Sequence, residues 1–347
     1  MGSKSGKAGD VRAVSPRDDA AWDALVSASP TGNRFLQSDC LRMLEDTDSI
    51  GIRFRRLGAF NGDGELRAGW ALPYMKRFGV CASTYFDLFY AGPMFAPELE
   101  TGSVHVCRER LDTLFDLAAD HARHIQLVEA EGHPRLEDAR GIHYAGWKVE
   151  TLYTHMWRFG SADDLFGKMN RERRRVIRRA NETYRFEPLP AETAAAEFIP
   201  LYHELMRKFD WQPTAQWDRD FSARLDWLIE HGVASVYGAR SDGGELCGAV
   251  VVLLSMEDRT IYLWRCGYKQ DIGGNTIIPA LYWNASLYWL EQWGEPLDSN
   301  LGGSPQFNLS QFKDYLGTDV VPHLRFVWRA PGRSEEHTSE LQSPLCI

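Results

Sequence analysis

Gly58-Ala59-Phe60-Asn61-Gly62-Asp63-Gly64-Glu65-Leu66 and, half a chain later, Gly238-Ala239-Arg240-Ser241-Asp242-Gly243-Gly244-Glu245-Leu246 match at five of nine positions. Each stretch joins two strand-like runs through a Gly/Asp-rich turn, where a hairpin favours residues that tolerate positive φ. The flanking runs are 52–60 and 66–74 in the first case, 233–240 and 246–254 in the second. Turns of this composition are common, so coincidence explains one such pair. The alternative is duplication: two copies of one α/β unit, offset by half the chain.

The surrounding pattern favours duplication. In the first half, 35–44 reads as a helix, 81–90 as strand-like, 104–123 as a helix, and 126–130 and 147–159 as strands. The second half opens with an arginine-rich helix and continues with helices at 194–209 and 218–230. After its hairpin come a strand at 260–266, a helix at 277–293, a short strand at 296–300 and a final segment to Trp328. Both halves place helices before and after a mostly antiparallel sheet. The expected fold is therefore mixed α/β (α+β), with two fused domains meeting near Gly160. The expected division is an N-terminal extension at 1–30, a first domain at 31–159 and a second at 160–332.

Composition sets outer limits. At 347 residues, 44% of them apolar, the chain can bury one large core or two medium ones. No uninterrupted apolar run is long enough to span a bilayer, and the first ten residues lack an apolar signal-peptide centre. The expected location is the cytoplasm, with peripheral membrane contact compatible. Six cysteines are scattered without a Cys-x-x-Cys pair, so neither a disulfide framework nor a zinc site is expected. The tail 333–347 resembles the translation of a sequencing-library adapter and is set aside from fold reasoning, which removes Cys346 and one histidine.

Against a formal charge of −9, six of the nine residues from Arg171 to Arg179 are arginine. Leu165, Met169, Val176 and Ala180 fall at helical spacing beside them, Ser161 suits an N-cap, and Asp163 and Asp164 suit the first turn. The stretch reads as one docked helix with a cationic outer side. Arg174, Arg175 and Arg178 are the candidate phosphate contacts, because guanidinium forks bind phosphate oxygens bidentately and a helix groups residues three and four apart. A solvated basic face balanced by Glu172 and Glu182 explains the same residues.

The arginine helix, with Arg174-Arg175, Arg178 and Ala180, resembles the Arg-Arg-x-x-Arg-x-Ala signature of FemAB-like proteins, a branch of the GNAT acyltransferase superfamily with two fused GNAT-type domains. Leu297-Asp298-Ser299-Asn300-Leu301-Gly302-Gly303 followed by Phe312-Lys313-Asp314-Tyr315-Leu316-Gly317 resembles that family's closing pattern. Arg34-Phe35-Leu36-Gln37-Ser38 resembles its Phe-x-Gln-Ser stretch before the first helix, and Gly92-Pro93 sits where a Gly-Pro follows the early sheet. The resemblance spans roughly 33–328. It implies acyl or aminoacyl transfer to an amine. Members building peptidoglycan cross-bridges draw on charged tRNA; relatives associated with exopolysaccharide or cellulose are held to use an acyl thioester. The signature here is nearer the latter, so the expected donor is acyl-CoA or a similar thioester, with aminoacyl-tRNA as the alternative and no permanently bound cofactor. The expected acceptor is an amine on a cell-envelope or exopolysaccharide component.

An amine attacking a thioester generates an oxyanion and sheds a proton, so the site needs a fixed cation or donor and a nearby acceptor. The resemblance puts Lys313 near the reacting centre; without it, a solvated lysine on an amphipathic helix at 311–317 explains the residue. Asp298 and Asn300, read as ending the late strand, are candidates to orient the amine, and Tyr268 is a candidate proton donor to a leaving thiolate. Lys313 and the three arginines are expected to share one hollow. Gln270, Gly273 and Gly274, before the helix at 277–293, form a degenerate version of the GNAT pyrophosphate loop; a turn with an N-terminal proline, Pro279, explains them equally well. His121 and His124 lie three apart without a third ligand, so they read as a partly exposed helix end and no metal site is expected. Tyr282, Trp283, Tyr288, Trp289 and Trp293 read as core packing on one helix, or as a platform beside a sugar or nucleobase. A non-enzymatic polyanion- or nucleic-acid-binding module explains the arginines but leaves the Phe-Lys pattern and the repeated hairpin without a reason.

Overall fold

The computed structural model describes residues 10–77, 79–83, 88–100, 104–159, 161–294, 296–304 and 306–331. The chain divides into two compact units, unit 2 being Tyr153–Val321 and unit 1 the rest. The division falls inside two strands: inside Lys148–Arg158, between Leu152 and Tyr153 and so a little before Gly160, and again inside Asp319–Arg329; Gly160 itself lies outside the described residues with 333–347.

Unit 1 contains β1 (Asp10–Ala13), α1 (Asp19–Ala28), α2 (Ser38–Asp46), β2 (Arg53–Phe60), β3 (Leu66–Arg77), β4 (Val80–Ser83), β5 (Met94–Phe95), α3 (Pro97–Glu100), α4 (Val104–His124), β6 (Leu127–Glu131) and α5 (Arg140–Tyr144). Its strands run in the order β1-β2-β3-β4-β6, followed by the end of the chain's last strand, where Arg325 to Arg329 pair with Glu131 to Leu127. The pair β4–β6 is parallel and the others are antiparallel. Residues 10–30 are not an extension: β1 pairs along β2, and α1 buries Trp22, whose Nε1 donates to the Leu36 carbonyl at 2.7 Å. The expected strand at 81–90 stops at Ser83, with 84–87 outside the described residues. His121 is not at a partly exposed end. It is fully buried against Trp70 and Nε2 lies 3.3 Å from the Trp70 carbonyl, so burial pulls its pKa down to about 3. Among the described residues no group of three or more His, Cys, Asp or Glu is placed to hold a metal.

The chain continues with β7 (Lys148–Arg158), α6 (Ala162–Lys168), α7 (Arg171–Thr183), β8 (Arg185–Pro188), α8 (Ala191–Met206), α9 (Ala215–Glu230), β9 (Ala234–Arg240), β10 (Leu246–Ser255), β11 (Thr260–Tyr268), α10 (Gly274–Trp293), β12 (Asp298–Gly303), α11 (Phe307–Asp314) and β13 (Asp319–Arg329). Unit 2 orders its strands β8-β9-β10-β11-β12-β7, again with one parallel pair, β11–β12. The expected single arginine helix is two. Met169 is extended, and Asn170 caps a second helix by accepting from the amides of Glu172 at 2.6 Å and Arg173 at 3.4 Å. Asparagine at that position competes for the backbone bonds an uninterrupted helix needs. Ile177 and Ala180 face the core, while Val176 is half-buried. On α10, Trp283 packs against Trp157, Phe159 and Phe166, and Tyr288 against Tyr237.

The two hairpins match bond for bond. Asn61 N donates to Glu65 O and Ser241 N to Glu245 O, both at 2.9 Å; Gly64 and Gly244 adopt φ of +82° and +81°. Each hairpin also slips register just after its turn, beside Phe60 in one and Leu246 in the other.

Candidate active site

The parallel pair in unit 2 comes apart. β11 and β12 are in register at Thr260↔Asp298, Ile261↔Ser299 and Tyr262↔Asn300, and no further, although β11 runs to Tyr268 and β12 to Gly303. Opposite β10 the register jumps from Val251↔Arg265 to Val252↔Leu263, so Trp264 is the extra residue of a bulge, unmatched on both sides. Beyond this point the facing backbone groups of the two strands need other partners.

Lys313 supplies two bonds. Its Nζ donates to the carbonyls of Gly302 at 2.9 Å and Gly303 at 2.7 Å, and it is the buried residue of α11, with 4% of its surface exposed. Burial pulls its pKa down to about 8, nearby Cys266 acting the other way. An ammonium has three protons; two are engaged here, so one donor is left for an oxygen arriving at the splayed end. Cys266 of β11 and Tyr282 of α10 share this surrounding, with the phenol 3.8 Å from the sulfur. Burial raises both of their pKa values.

The other candidates separate into those near the splay and those away from it. Asn300 holds the last registered position, where its Oδ1 accepts from Thr154 Oγ1 at 2.7 Å and from the Gly302 amide at 2.8 Å. It shapes the strand end. Asp298 begins β12 instead of ending it and pairs with Thr260, at the closed end of the pair. Tyr268 ends β11, with the Lys208 ammonium 4.6 Å from its ring centroid, and packs over Gly274, where a Cβ would come within 2.7 Å of the phenol oxygen. Gly273 has φ +79° and caps α10. Gln270 is tied to α8: its amide donates to Glu204 Oε1 at 2.7 Å and its side chain to the Glu204 carbonyl at 3.0 Å.

Of the arginines, Arg173 meets α11. Its guanidinium lies 5.1 Å from the Phe312 ring, next to Lys313 in sequence, and 3.5 Å from the Asn275 carbonyl, whose usual helical partner would be the missing N–H of Pro279. Arg178 covers Phe166 of α6 instead, at 5.3 Å. Arg174 is half-buried and Arg175 exposed; neither side chain has an ion pair or ring contact among the described residues. Arg173 was legible in the periodicity, being in step with Ile177 and Ala180 at i, i+4 and i+7. His155 of β7 was missed as well. Buried two residues before Trp157, it sits 3.0 Å from Thr318 Oγ1 and 3.4 Å from Ser310 Oγ. No local motif marks it, because its partners lie far along the chain.

No protein-family model matches this chain, and no curated protein matches its sequence. Solved structures do match. The chain is similar to FemX, with a TM-score of 0.68 at 13% identity over 96% of this chain and 99% of that one. It is similar to a tandem GNAT protein from the clavulanic acid biosynthesis pathway, with a TM-score of 0.55 at 13% identity over 94% and 99%. It is also similar to L-PGS from Bacillus licheniformis, with a TM-score of 0.54 at 16% identity over 98% of each. The chain therefore has the fold of FemX and of tandem GNAT proteins, the mixed α/β class that the repeated hairpin announced.

Proposed function

We propose that the chain is an N-acyltransferase of the FemAB-like GNAT type, moving an acyl group from a thioester such as acyl-CoA to an amine on a cell-envelope or exopolysaccharide-related acceptor. The observation that carries this reading is the splayed end of β11–β12 with the buried Lys313 ammonium on the Gly302 and Gly303 carbonyls. An oxyanion formed there meets a preorganised cation in surroundings from which water is largely excluded, where such a donor is worth most. The bulge at Trp264 directs an extra peptide unit into the same stretch. At the start of α10, the amides of Gly274 and Asn275 are the backbone donors for a pyrophosphate, the Gly273 amide being turned to the Lys269 carbonyl at 3.4 Å and Gln270 being committed to Glu204.

The exposed arginines of α7, Arg171, Arg175, Arg178 and Arg179, favour a second reading, in which the donor is an aminoacyl-tRNA. A screen of acyl-CoAs and charged tRNAs against amine acceptors, read by mass spectrometry, separates the two. The first reading expects free thiol and a new amide in equal amounts. Failure of every thioester and every charged tRNA, together with steeply salt-dependent binding of random RNA, would replace both readings with a polyanion-binding module.

A further inference from the structure

Ser310 stands one turn before Lys313 on α11 and faces His155 of β7. Its Oγ lies 3.4 Å from His155 Nε2. Across the ring, Nδ1 lies 3.0 Å from Thr318 Oγ1 and 3.7 Å from the Asp314 carboxylate. The imidazole is almost sealed from solvent, with 3% of the side chain exposed, whereas Ser310 is half-buried and Asp314 half-exposed.

The hydrogen bonds fix the tautomer. The Thr318 hydroxyl donates to the Lys313 carbonyl at 3.0 Å. Its single proton is thus committed, and toward His155 the oxygen accepts; Nδ1 carries the ring proton. The Nε2 lone pair then points toward Ser310. Burial and the Lys313 ammonium keep the resting ring neutral, while Asp314 favours the imidazolium once a proton arrives. A hydroxyl, a base with its open nitrogen toward that hydroxyl, and an acceptor with a carboxylate behind the base are the parts that activate a serine. The 3.4 Å separation is within the looser range such pairs show without substrate.

We propose that Ser310 is a covalent nucleophile that takes the acyl group as an ester before the amine receives it. The proposal rests on the acyl-transfer reading above and adds a step to it. Ser310 Oγ attacks the thioester carbonyl carbon as its proton passes to His155 Nε2. The C–S bond then breaks, and the departing sulfur takes the proton from Nε2, leaving a free thiol and acyl-Ser310. In the second half the amine attacks the ester, His155 accepts the amine proton and returns it to Ser310 Oγ, and the amide leaves. Nothing is oxidised or reduced, and the thioester and amine are the only reactants.

A fluorophosphonate probe tests the nucleophile without any knowledge of the donor. The full chain should be phosphonylated at Ser310, located by peptide mass spectrometry, and labelling should slow by ~100-fold in His155→Gln and in Thr318→Val, which removes the group that fixes the tautomer. Incubation with acyl-CoAs and no amine should give one equivalent of thiol and an acylated Ser310 peptide. Ser310→Ala, a change at a half-buried helix position, should abolish both signals with its circular dichroism unchanged. Absence of phosphonylation at Ser310 in the folded wild type overturns the proposal, as does amide formation by Ser310→Ala at the wild-type rate. That last result leaves the acyltransferase reading standing; failure of the reading itself would appear as wild-type protein that consumes no donor.

Discussion

Lys313 is the residue on which the proposed chemistry turns, and its charge has a measurable consequence for stability. Below about pH 8 it is protonated in both folded and unfolded chains, and its burial costs stability in full. Between about pH 8 and 10.5 the folded chain has released the proton that the unfolded chain still holds, so stability rises with pH across this window. The rise should reach about 3 kcal/mol. Denaturant unfolding of wild type and Lys313→Met at several pH values isolates it, because other groups contribute equally to both; parallel profiles would show that burial does not perturb this amine. If the ammonium is the form that serves catalysis, kcat falls on the alkaline side through pH about 8. The sequence marked Lys313 by its resemblance to a Phe-Lys motif but gave no hint of its carbonyl partners. Asp298 was read as ending the strand because the strand was expected at 296–300, whereas it begins at Asp298 and runs to Gly303.

Among the elements, α7 and α11 show what periodicity reveals and what it hides. The apolar spacing from Leu165 to Ala180 is real, but a hydrophobic stripe continues across a break as readily as through one helix, so only the capping side chain of Asn170 betrays the interruption. Asn170→Ala should lower stability by about 1 kcal/mol, read as a lower midpoint of thermal or denaturant unfolding. An unchanged midpoint would mean that water or the first-turn charges replace the cap. In α11 burial does not follow polarity alone: Phe307 is 79% exposed while Lys313 is buried, so an apolar-inside reading of 311–317 finds Leu316 and Phe312 but leaves Lys313 on the wrong side. The helix is held by Lys313 on two carbonyls, by Ser310 and Asp314 near His155, and by the Asn170 amide donating to the Tyr315 carbonyl at 3.0 Å. Those contacts are long-range and polar, the kind that a single sequence does not display.

Across the whole molecule, the hairpin repeat proved the most readable signal because turn chemistry is local. Gly64 and Gly244 require positive φ for reasons contained within a few residues, and both hairpins sit at equivalent places in sheets of the same strand order. A Cβ at either glycine would meet nothing within 4 Å. Gly64→Ala and Gly244→Ala should therefore cost a similar amount, about 1–2 kcal/mol each, from backbone strain alone. Unequal losses in calorimetry would show that the two turns are not physical equivalents. What the sequence hid at this scale is that unit 1 takes its sixth strand from the far end of the chain, β13 beside β6, while unit 2 takes its sixth, the second half of β7 beside β12, from its own first residues. A reading that cuts the chain once cannot see a unit that is built from both ends of it.

The central claim is that the splayed strands of unit 2 and the Lys313 ammonium form an acyl-transfer site. Its most direct test is the rate of amine-dependent thiol release by wild type and Lys313→Met, using the donor and acceptor found by screening. The account predicts a loss of at least ~100-fold in kcat/KM with the fold retained; equal rates in the two proteins would contradict it.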